Sequence, residues 1–178
     1  MYGGTGMNNM SNTNKGKGTK GKGIKTLPLL VAIREVSRAA HRWRDASQRQ
    51  YQVGNYGLAR YSSHQKRHFY ALKERGIVEG YRQGLLRYVG QSPQGLAVYE
   101  YGEGGMACFH SRLHPIGTRS SLVPDHPETL FVTAKHATRH VADAEATLRD
   151  LPTTMDGFYS IEITTSTSSY YHEEPVCY

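Results

Sequence analysis

The spacing of apolar residues changes along this chain, and the change limits the folds that it can adopt. From Leu29 to Trp43, apolar side chains recur every three or four residues, which is typical of the buried stripe of a helix. Between residues 77 and 113 the pattern becomes that of short strands separated by glycine-containing turns. Helices followed by sequential strands predict an α+β fold with an antiparallel meander.

Local signals predict the elements between these regions. Residues 51–61, interrupted by Gly54 and Asn55, are expected to form a strand or hairpin. A second helix is expected to start at Ser62, which forms a capping box with Gln65, and to end at Gly76.

The second half of the chain shows the same kinds of signal. The meander is expected from strands at residues 77–89, 96–101 and 106–113. A short strand is expected at residues 129–133, a third helix from Ala137 to Leu151 before Pro152, and a last strand at residues 158–163.

Length and composition limit the class of protein. A chain of 178 residues can bury one core without disulfides or metal, and two cysteines are too few for a secreted disulfide scaffold. The longest apolar run, residues 27–33, is far shorter than the roughly 20 residues that cross a bilayer, so no membrane partner is expected.

We expect two small modules: an N-terminal module of helices with the meander, and a C-terminal β-α-β module ending in a Ser/Thr loop. The expected segments are a disordered basic tail (1–26), the N-terminal module (27–113), a loop or insertion (114–127) and the C-terminal module (128–178).

Charge is divided unevenly between the two halves. Residues 1–88 hold 17 Lys and Arg against four carboxylates, whereas residues 89–178 hold five against 11. A basic region of this kind favours a polyanion, and nucleic acid is the commonest such partner because its phosphates release counterions on binding. The acid-free tail contributes Lys15, Lys17, Lys20 and Lys22, although a remnant of an organellar targeting peptide is the other interpretation of this segment.

Both predicted N-terminal helices carry cations. Arg34, Arg38 and Arg42 fall one helical turn apart, and like charges in this arrangement favour an anionic ligand, although a solvated basic face is the plainer interpretation. The second helix carries Lys66 and Arg67 among its basic residues. A run of hydroxyls at residues 164–169 offers short donors and acceptors suited to the shallow minor groove of RNA, or forms a polar loop.

No catalytic apparatus is visible. Cys108, His110 and His114 are metal-ligating types, with Cys177 as a possible fourth ligand, but their spacing matches no paired zinc motif. His136 and His140 lack the glutamate that a zincin needs after the first histidine. We therefore expect a protein that is not an enzyme and has no cofactor, no metal and no small-molecule substrate. Zinc or iron found in stoichiometric amount in the purified protein would favour a metal-dependent enzyme instead.

From Leu29 to its C-terminus, the chain resembles the universal small-subunit ribosomal protein eight (S-eight) family. The most specific match is the Ser62-Ser63-His64-Gln65-Lys66 segment leading to Leu72-Lys73-Glu74-Arg75-Gly76-Ile77, which is similar to the family's Pro-Ser-Ser-Lys helix ending Leu-Lys-Glu-Glu-Gly-Phe-Ile. The second match is Ile161-Glu162-Ile163 followed by Ser166-Thr167-Ser168, which resembles the family's signature strand and loop. The third is the arginine-bearing first helix, where Arg38 matches a family arginine.

The resemblance implies an RNA-binding scaffold that docks on the central domain of small-subunit ribosomal RNA beside neighbouring ribosomal proteins. It assigns minor-groove contacts to Ser166, Thr167 and Ser168, and looser ones to Ser62, Ser63 and Lys66. Ser169-Tyr170 stands where the family has Lys-Gly, and a shift of one residue would assign Thr165, Ser166 and Thr167 instead. The added tail and insertion suggest a mitochondrial ribosome, with a cytoplasmic ribosome as the alternative.

The leading hypothesis is thus a structural constituent of the small ribosomal subunit, a ribonucleoprotein component that supports translation. The alternative is a winged-helix nucleic-acid-binding protein, with residues 62–75 as the recognition helix and residues 85–101 as the wing.

Overall fold

The computed structural model describes residues 26–102, 107–119, 121–124, 140–152 and 154–160. Within them the chain forms three helices and five strands, so the predicted α+β class is confirmed. The tail, the strand predicted at residues 129–133 and the hydroxyl run lie outside the described residues.

Two long helices form an antiparallel hairpin at the start of the fold. Helix α1 spans Leu29–Gln52 and helix α2 spans Tyr56–Arg82. The apolar stripe predicted on α1 is confirmed, because Ile33, Val36 and Ala40 are fully buried. The two helices are joined by only three residues, 53–55, and pack against each other.

The prediction of a strand or hairpin at residues 51–61 is wrong, because Gly54 follows the end of one helix and Asn55 caps the start of the next. Gly54 has a φ of +76° and ends α1, with the amides of Gly54 and Asn55 donating to the carbonyls of Tyr51 and Gln50. The Asn55 side chain then accepts from the Leu58 amide at 3.3 Å and caps α2. Helix α2 therefore begins six residues before Ser62, and the predicted capping box does not form its start.

The end predicted for this helix at Gly76 is also wrong. Helix α2 continues to Arg82, and Gly84, with a φ of +74°, supplies the terminating conformation. Gly76 has another role: a Cβ placed there would lie 2.6 Å from Ile33 Cγ1 and 2.9 Å from Leu148 Cδ2. The glycine is thus needed for close packing of three helices, and residues 77–82 are helical rather than extended.

The predicted meander is confirmed from residue 87 to residue 111, but the strand predicted at residues 106–113 ends at Ser111 because Leu113 pairs in a second sheet. Strands β1 (Arg87–Gln91), β2 (Ala97–Tyr101) and β3 (Ala107–Ser111) form an antiparallel sheet in the order β1-β2-β3. A register irregularity between Tyr88 and Gly90 bends β1, where Gly90 approaches the Ser121 carbonyl too closely for a side chain.

A smaller sheet and a third helix complete the fold. Strand β4 (Leu113–Pro115) pairs antiparallel with β5 (Phe158–Ser160), so the start of the segment expected as a loop is a strand. Helix α3 spans Val141–Arg149, which confirms the described part of the third predicted helix.

One hydrophobic cluster joins the described parts of both predicted modules. Its buried members come from all three helices and from the meander: Ala32, Ile33, Val36, Ala39, Ala40, Phe69, Leu72, Ile77, Leu86, Ala97, Tyr99, Phe109, Ala144 and Leu148. Helix α3 packs against both α1 and α2. The predicted boundary at residues 127 and 128 lies outside the described residues and stays a prediction.

Candidate nucleic-acid interface

The helical hairpin has two halves with different surroundings. We call residues 46–67, around the turn, the outer half, and residues 29–45 with 68–82 the inner half. The inner half holds most of the buried residues of α1 and α2, whereas the outer half buries only Ala59 and Ser62. The outer half is therefore the part of the hairpin that presents most of its side chains to solvent.

The outer half carries positive charge and no acidic residue of its own. It holds four cations and no carboxylate, since the sequence has no Asp or Glu between Asp45 and Glu74. Arg49 and Arg60 are exposed, and neither forms an ion pair with any described residue. This surface has the electrostatic character of a phosphate-binding one.

Contacts between the helices hold the outer half together. The Ser47 hydroxyl donates to the Ala59 carbonyl at 3.1 Å. The rings of Trp43 and Tyr61 meet edge to face with centroids 5.7 Å apart, and those of Tyr51 and Tyr56 do so at 5.4 Å. The exposed side chains of the outer half are therefore presented on a defined scaffold.

The predicted row of arginines lies on α1, and its members make contacts within the protein. The Arg38 guanidinium lies 3.5 Å from the carboxylate of the buried Glu35. Arg34 lies over the Tyr101 ring at 5.8 Å from its centroid. Arg42 is exposed. The charge of Arg38 is thus partly neutralised by Glu35, whereas Arg34 is exposed and keeps its charge.

The residues assigned from the resemblance to the start of α2 differ in accessibility. Ser62 is 4% exposed, so its hydroxyl has little access to a ligand in this structure. Ser63 and Lys66 are half-buried, and Arg67 is exposed. Lys66 and Arg67 lie in the outer half with Arg49 and Arg60, so the structure brings these four cations into one part of the hairpin.

The inner half contains buried ionisable groups that serve the fold. Glu74 accepts from the Ser111 hydroxyl and, at 3.3 Å, from the Arg112 amide, which ties α2 to the end of β3. Burial raises the pKa of the Glu74 carboxyl, against the opposing effect of the nearby Lys73. Lys73 is fully buried beside the Tyr70 ring. These charges face the core and are not available to a polyanion.

His41, near the middle of α1, is a further buried ionisable group. Its side chain is 1% exposed, and burial, together with the positive charges of Lys73 and Arg44, lowers its pKa to about 3. The imidazole is therefore neutral at physiological pH and adds no charge to the basic surface.

The residues considered as metal ligands do not form a metal centre in the part of the chain that the structure describes. No group of three His, Cys, Asp or Glu residues able to hold a metal ion occurs there. Both ring nitrogens of His114 lie within hydrogen-bond distance of other groups, the Tyr88 hydroxyl at 3.2 Å and the Gly95 carbonyl at 3.1 Å. Burial lowers the pKa of His114, which suits a neutral ring with a structural role. Cys177 and His136 lie outside the described residues.

Several predicted contact residues also fall outside the described residues. They are Lys15, Lys17, Lys20 and Lys22 of the tail, and Thr165, Ser166, Thr167 and Ser168 of the hydroxyl run. Their roles stay predictions.

The sequence analysis missed the tyrosines of the outer half. Tyr51, Tyr56 and Tyr61 are exposed at the turn of the hairpin, next to Arg49 and Arg60. The sequence does show aromatic and basic residues together here without acidic ones. The strand predicted at residues 51–61, however, places the three rings on alternating faces and so does not group them into one surface.

Comparisons with family models, with curated proteins and with solved structures find no match to the chain. Among the described residues, no helix has the length and apolar character needed to cross a membrane.

Proposed function

We propose that this chain is a noncatalytic, structural protein of the small ribosomal subunit that binds the central domain of its ribosomal RNA. The observation that carries the proposal is the outer half of the hairpin, where Arg49, Arg60 and Arg67 are exposed and no carboxylate occurs. RNA supplies the phosphates that such a surface binds. The resemblance of residues 62–77 and 161–168 to the S-eight family supports ribosomal RNA rather than another polyanion.

Two regions would contribute to RNA binding in different ways. The cations of the outer half would supply affinity that depends little on sequence, because they contact phosphates. The hydroxyls of Ser166, Thr167 and Ser168 would supply discrimination, because hydroxyls can reach riboses and base edges in the minor groove. By the same resemblance, neighbouring ribosomal proteins are the other partners, in the mitochondrial matrix or on a cytoplasmic ribosome.

Gradient sedimentation of a cell lysate tests the cellular part of the proposal. The protein should travel with small ribosomal subunits and should move to lighter fractions after ribonuclease treatment. A protein found only in fractions free of ribosomal RNA contradicts the proposal.

A salt titration tests the binding surface. Arg49→Gln with Arg60→Gln should reduce the slope of log affinity for RNA against log salt by about one to two, because each lost phosphate contact removes roughly 0.7 to 0.9. The matched control is Arg82→Gln with Arg87→Gln, which removes the same charge from residues that contact the Asp156 carbonyl and Glu100. Equal reductions in both variants would show that net charge, not the outer half, governs binding.

The winged-helix alternative retains one supporting observation: α2 is followed directly by the β1–β2 hairpin. A winged-helix protein should bind duplex DNA more tightly than folded RNA at fixed salt, whereas the proposed ribosomal protein should bind a folded RNA junction more tightly. Competition between these two ligands separates the two functions.

A further inference from the structure

The turn of the hairpin exposes an unusual set of apolar side chains. We call residues 49–61 the hairpin tip. Its exposed large side chains are Tyr51, Val53, Tyr56, Leu58 and Tyr61, each more than half accessible to solvent. The rest of the described chain exposes such side chains at scattered positions, among them Leu85, Ile116 and Leu122. A cluster of this size at one end of a hairpin is typical of a binding surface.

The contacts that hold the two helices together at the turn do not account for the exposure of this cluster. Tyr51 and Tyr56 contact each other, yet they remain 56% and 58% exposed. Neither is a member of the hydrophobic core or is packed against it. Two tyrosine rings left in water at a helix junction thus have no role in the described core.

The charge of the tip identifies the class of ligand. Arg49 and Arg60 flank the tyrosines, and the tip contains no carboxylate. The tip is also continuous with Lys66 and Arg67 along α2. A ligand that covers this surface has to bring negative charge along the helix and flat, apolar groups at the turn. Unpaired nucleotides bring both, because their phosphates are anionic and every base has a face on which an aromatic ring stacks.

We propose that the hairpin tip binds unpaired nucleotides of RNA, with bases stacking on Tyr51 and Tyr56 and phosphates contacting Arg49 and Arg60. This inference rests on the proposed RNA-binding function and adds to it a preference for single-stranded segments. The backbone hydrogen bonds of residues 53–55 fix the positions from which the two tyrosines extend, so little backbone freedom is lost on binding.

Fluorescence anisotropy with the full chain tests the inference. The probes are a labelled oligouridine of about twelve nucleotides and an RNA duplex of equal length, both at the same salt concentration. Tyr51→Ala with Tyr56→Ala should weaken oligouridine binding by about tenfold or more, as expected for losing base stacking, and should change duplex binding by less than about twofold. The matched control, Tyr51→Phe with Tyr56→Phe, keeps both rings and should keep oligouridine affinity within about twofold.

The outcomes separate the tip from the function on which it rests. If the wild-type protein binds neither probe at low salt, the proposed RNA-binding function fails. If it binds both, and the alanine variant binds oligouridine as tightly as wild type, the tip proposal is overturned and a protein partner becomes the occupant of this surface. An equal loss on oligouridine and duplex also overturns it, because stacking needs unpaired bases.

Photocrosslinking of the wild-type protein gives a second measurement that needs no variant. A thiouridine-substituted oligonucleotide should form adducts on Tyr51 or Tyr56, located by mass spectrometry of the digested protein. Adducts confined to other residues would contradict the proposal.

Discussion

The inner and outer halves of the hairpin belong to the same two helices, yet they use charged residues in opposite ways. In the inner half, Glu35 pairs with Arg38 and Glu74 ties α2 to β3. In the outer half, Arg49 and Arg60 have no ion pair with any described residue. Buried charges need partners because burial removes their hydration, whereas exposed charges keep their water until a ligand arrives. A cation of the inner half such as Arg38 therefore contributes to the fold, whereas Arg49 and Arg60 of the outer half are exposed to a ligand.

Contacts with α3 reinforce the difference. His68 lies 2.6 Å from Glu145, and Arg75 donates to the Arg149 carbonyl. Both contacts join α2 to α3, and both lie on the inner side of the boundary at residue 67. Three pairs of substitutions compare the two halves: a histidine and a glycine from each half, and a leucine of the outer half with a leucine of α3 that is buried against the inner half.

The largest expected difference is between Leu148 of α3, fully buried against the inner half, and Leu58 of the outer half, 51% exposed. Leu148→Ala should lower the free energy of unfolding by about 2–5 kcal/mol, because it leaves a cavity in the core. Leu58→Ala should change it by less than about 0.5 kcal/mol. Urea unfolding followed by the fluorescence of Trp43, the single tryptophan, measures both. A Trp43 transition that Leu148→Ala leaves unmoved would show that α3 unfolds independently of α1.

The next comparison is between buried His41 and exposed His64. The pKa of His41 is about 3 in the folded chain and 6.5 in the unfolded one, so below pH 6.5 only the unfolded state takes up this proton. The His41 contribution to stability should therefore be complete above pH 6.5 and fall by about 1.4 kcal/mol per pH unit toward pH 3.

Comparison with His41→Leu isolates this contribution from that of Glu74. The raised pKa of Glu74 acts in the opposite direction, since its contribution falls as pH rises above 4.5. Urea unfolding between pH 4 and 7 should show wild type losing stability relative to His41→Leu as pH falls. His64→Leu, which replaces an exposed side chain, is the control for exchanging a histidine for leucine. If the free energies of unfolding of wild type and His41→Leu changed equally with pH, His41 would take up its proton in the folded chain as readily as in the unfolded chain.

The smallest difference is between two glycines of α2. Gly76→Ala should cost about 1–3 kcal/mol, because its Cβ would press on the buried side chains of Ile33 and Leu148. Gly57→Ala meets nothing within 4 Å and should stabilise the protein by up to about 0.5 kcal/mol, since alanine favours the helix. Thermal unfolding measures both. Equal effects of the two substitutions would contradict the close approach of α1 and α3 at Gly76.

The sequence predicted the features that depend on local periodicity. The stripe of α1, the meander and the described part of α3 were visible because buried side chains recur at the spacing of each element. Gly54-Asn55 was misinterpreted because glycine and asparagine are equally common in β-turns and between helices. The sequence predicts a helix end at Gly76 because the partners that require this glycine, Ile33 and Leu148, are distant in the chain.

The candidate site was predictable only in part. Charge counting located the basic region, because it needs no knowledge of the fold. It did not separate Arg38, which is paired with Glu35, from Arg49, because that distinction depends on which side chains become neighbours. The exposure of Tyr51 and Tyr56 likewise became visible only once α1 and α2 were known to meet there.

The three-residue link between α1 and α2 has a mechanical consequence. The amides of residues 53–55 donate to carbonyls of α1 at 2.9–3.2 Å, which fixes the backbone of the link. The Ser47 hydroxyl of α1 donates to the Ala59 carbonyl of α2 at 3.1 Å, so separation of the helices near the turn would break this bond. At 1.5 Å of rise per residue, the outer half extends for about 10–18 Å along the two helices. The hairpin is therefore a stiff arm whose far end can enter a crevice that a flat surface would only bridge.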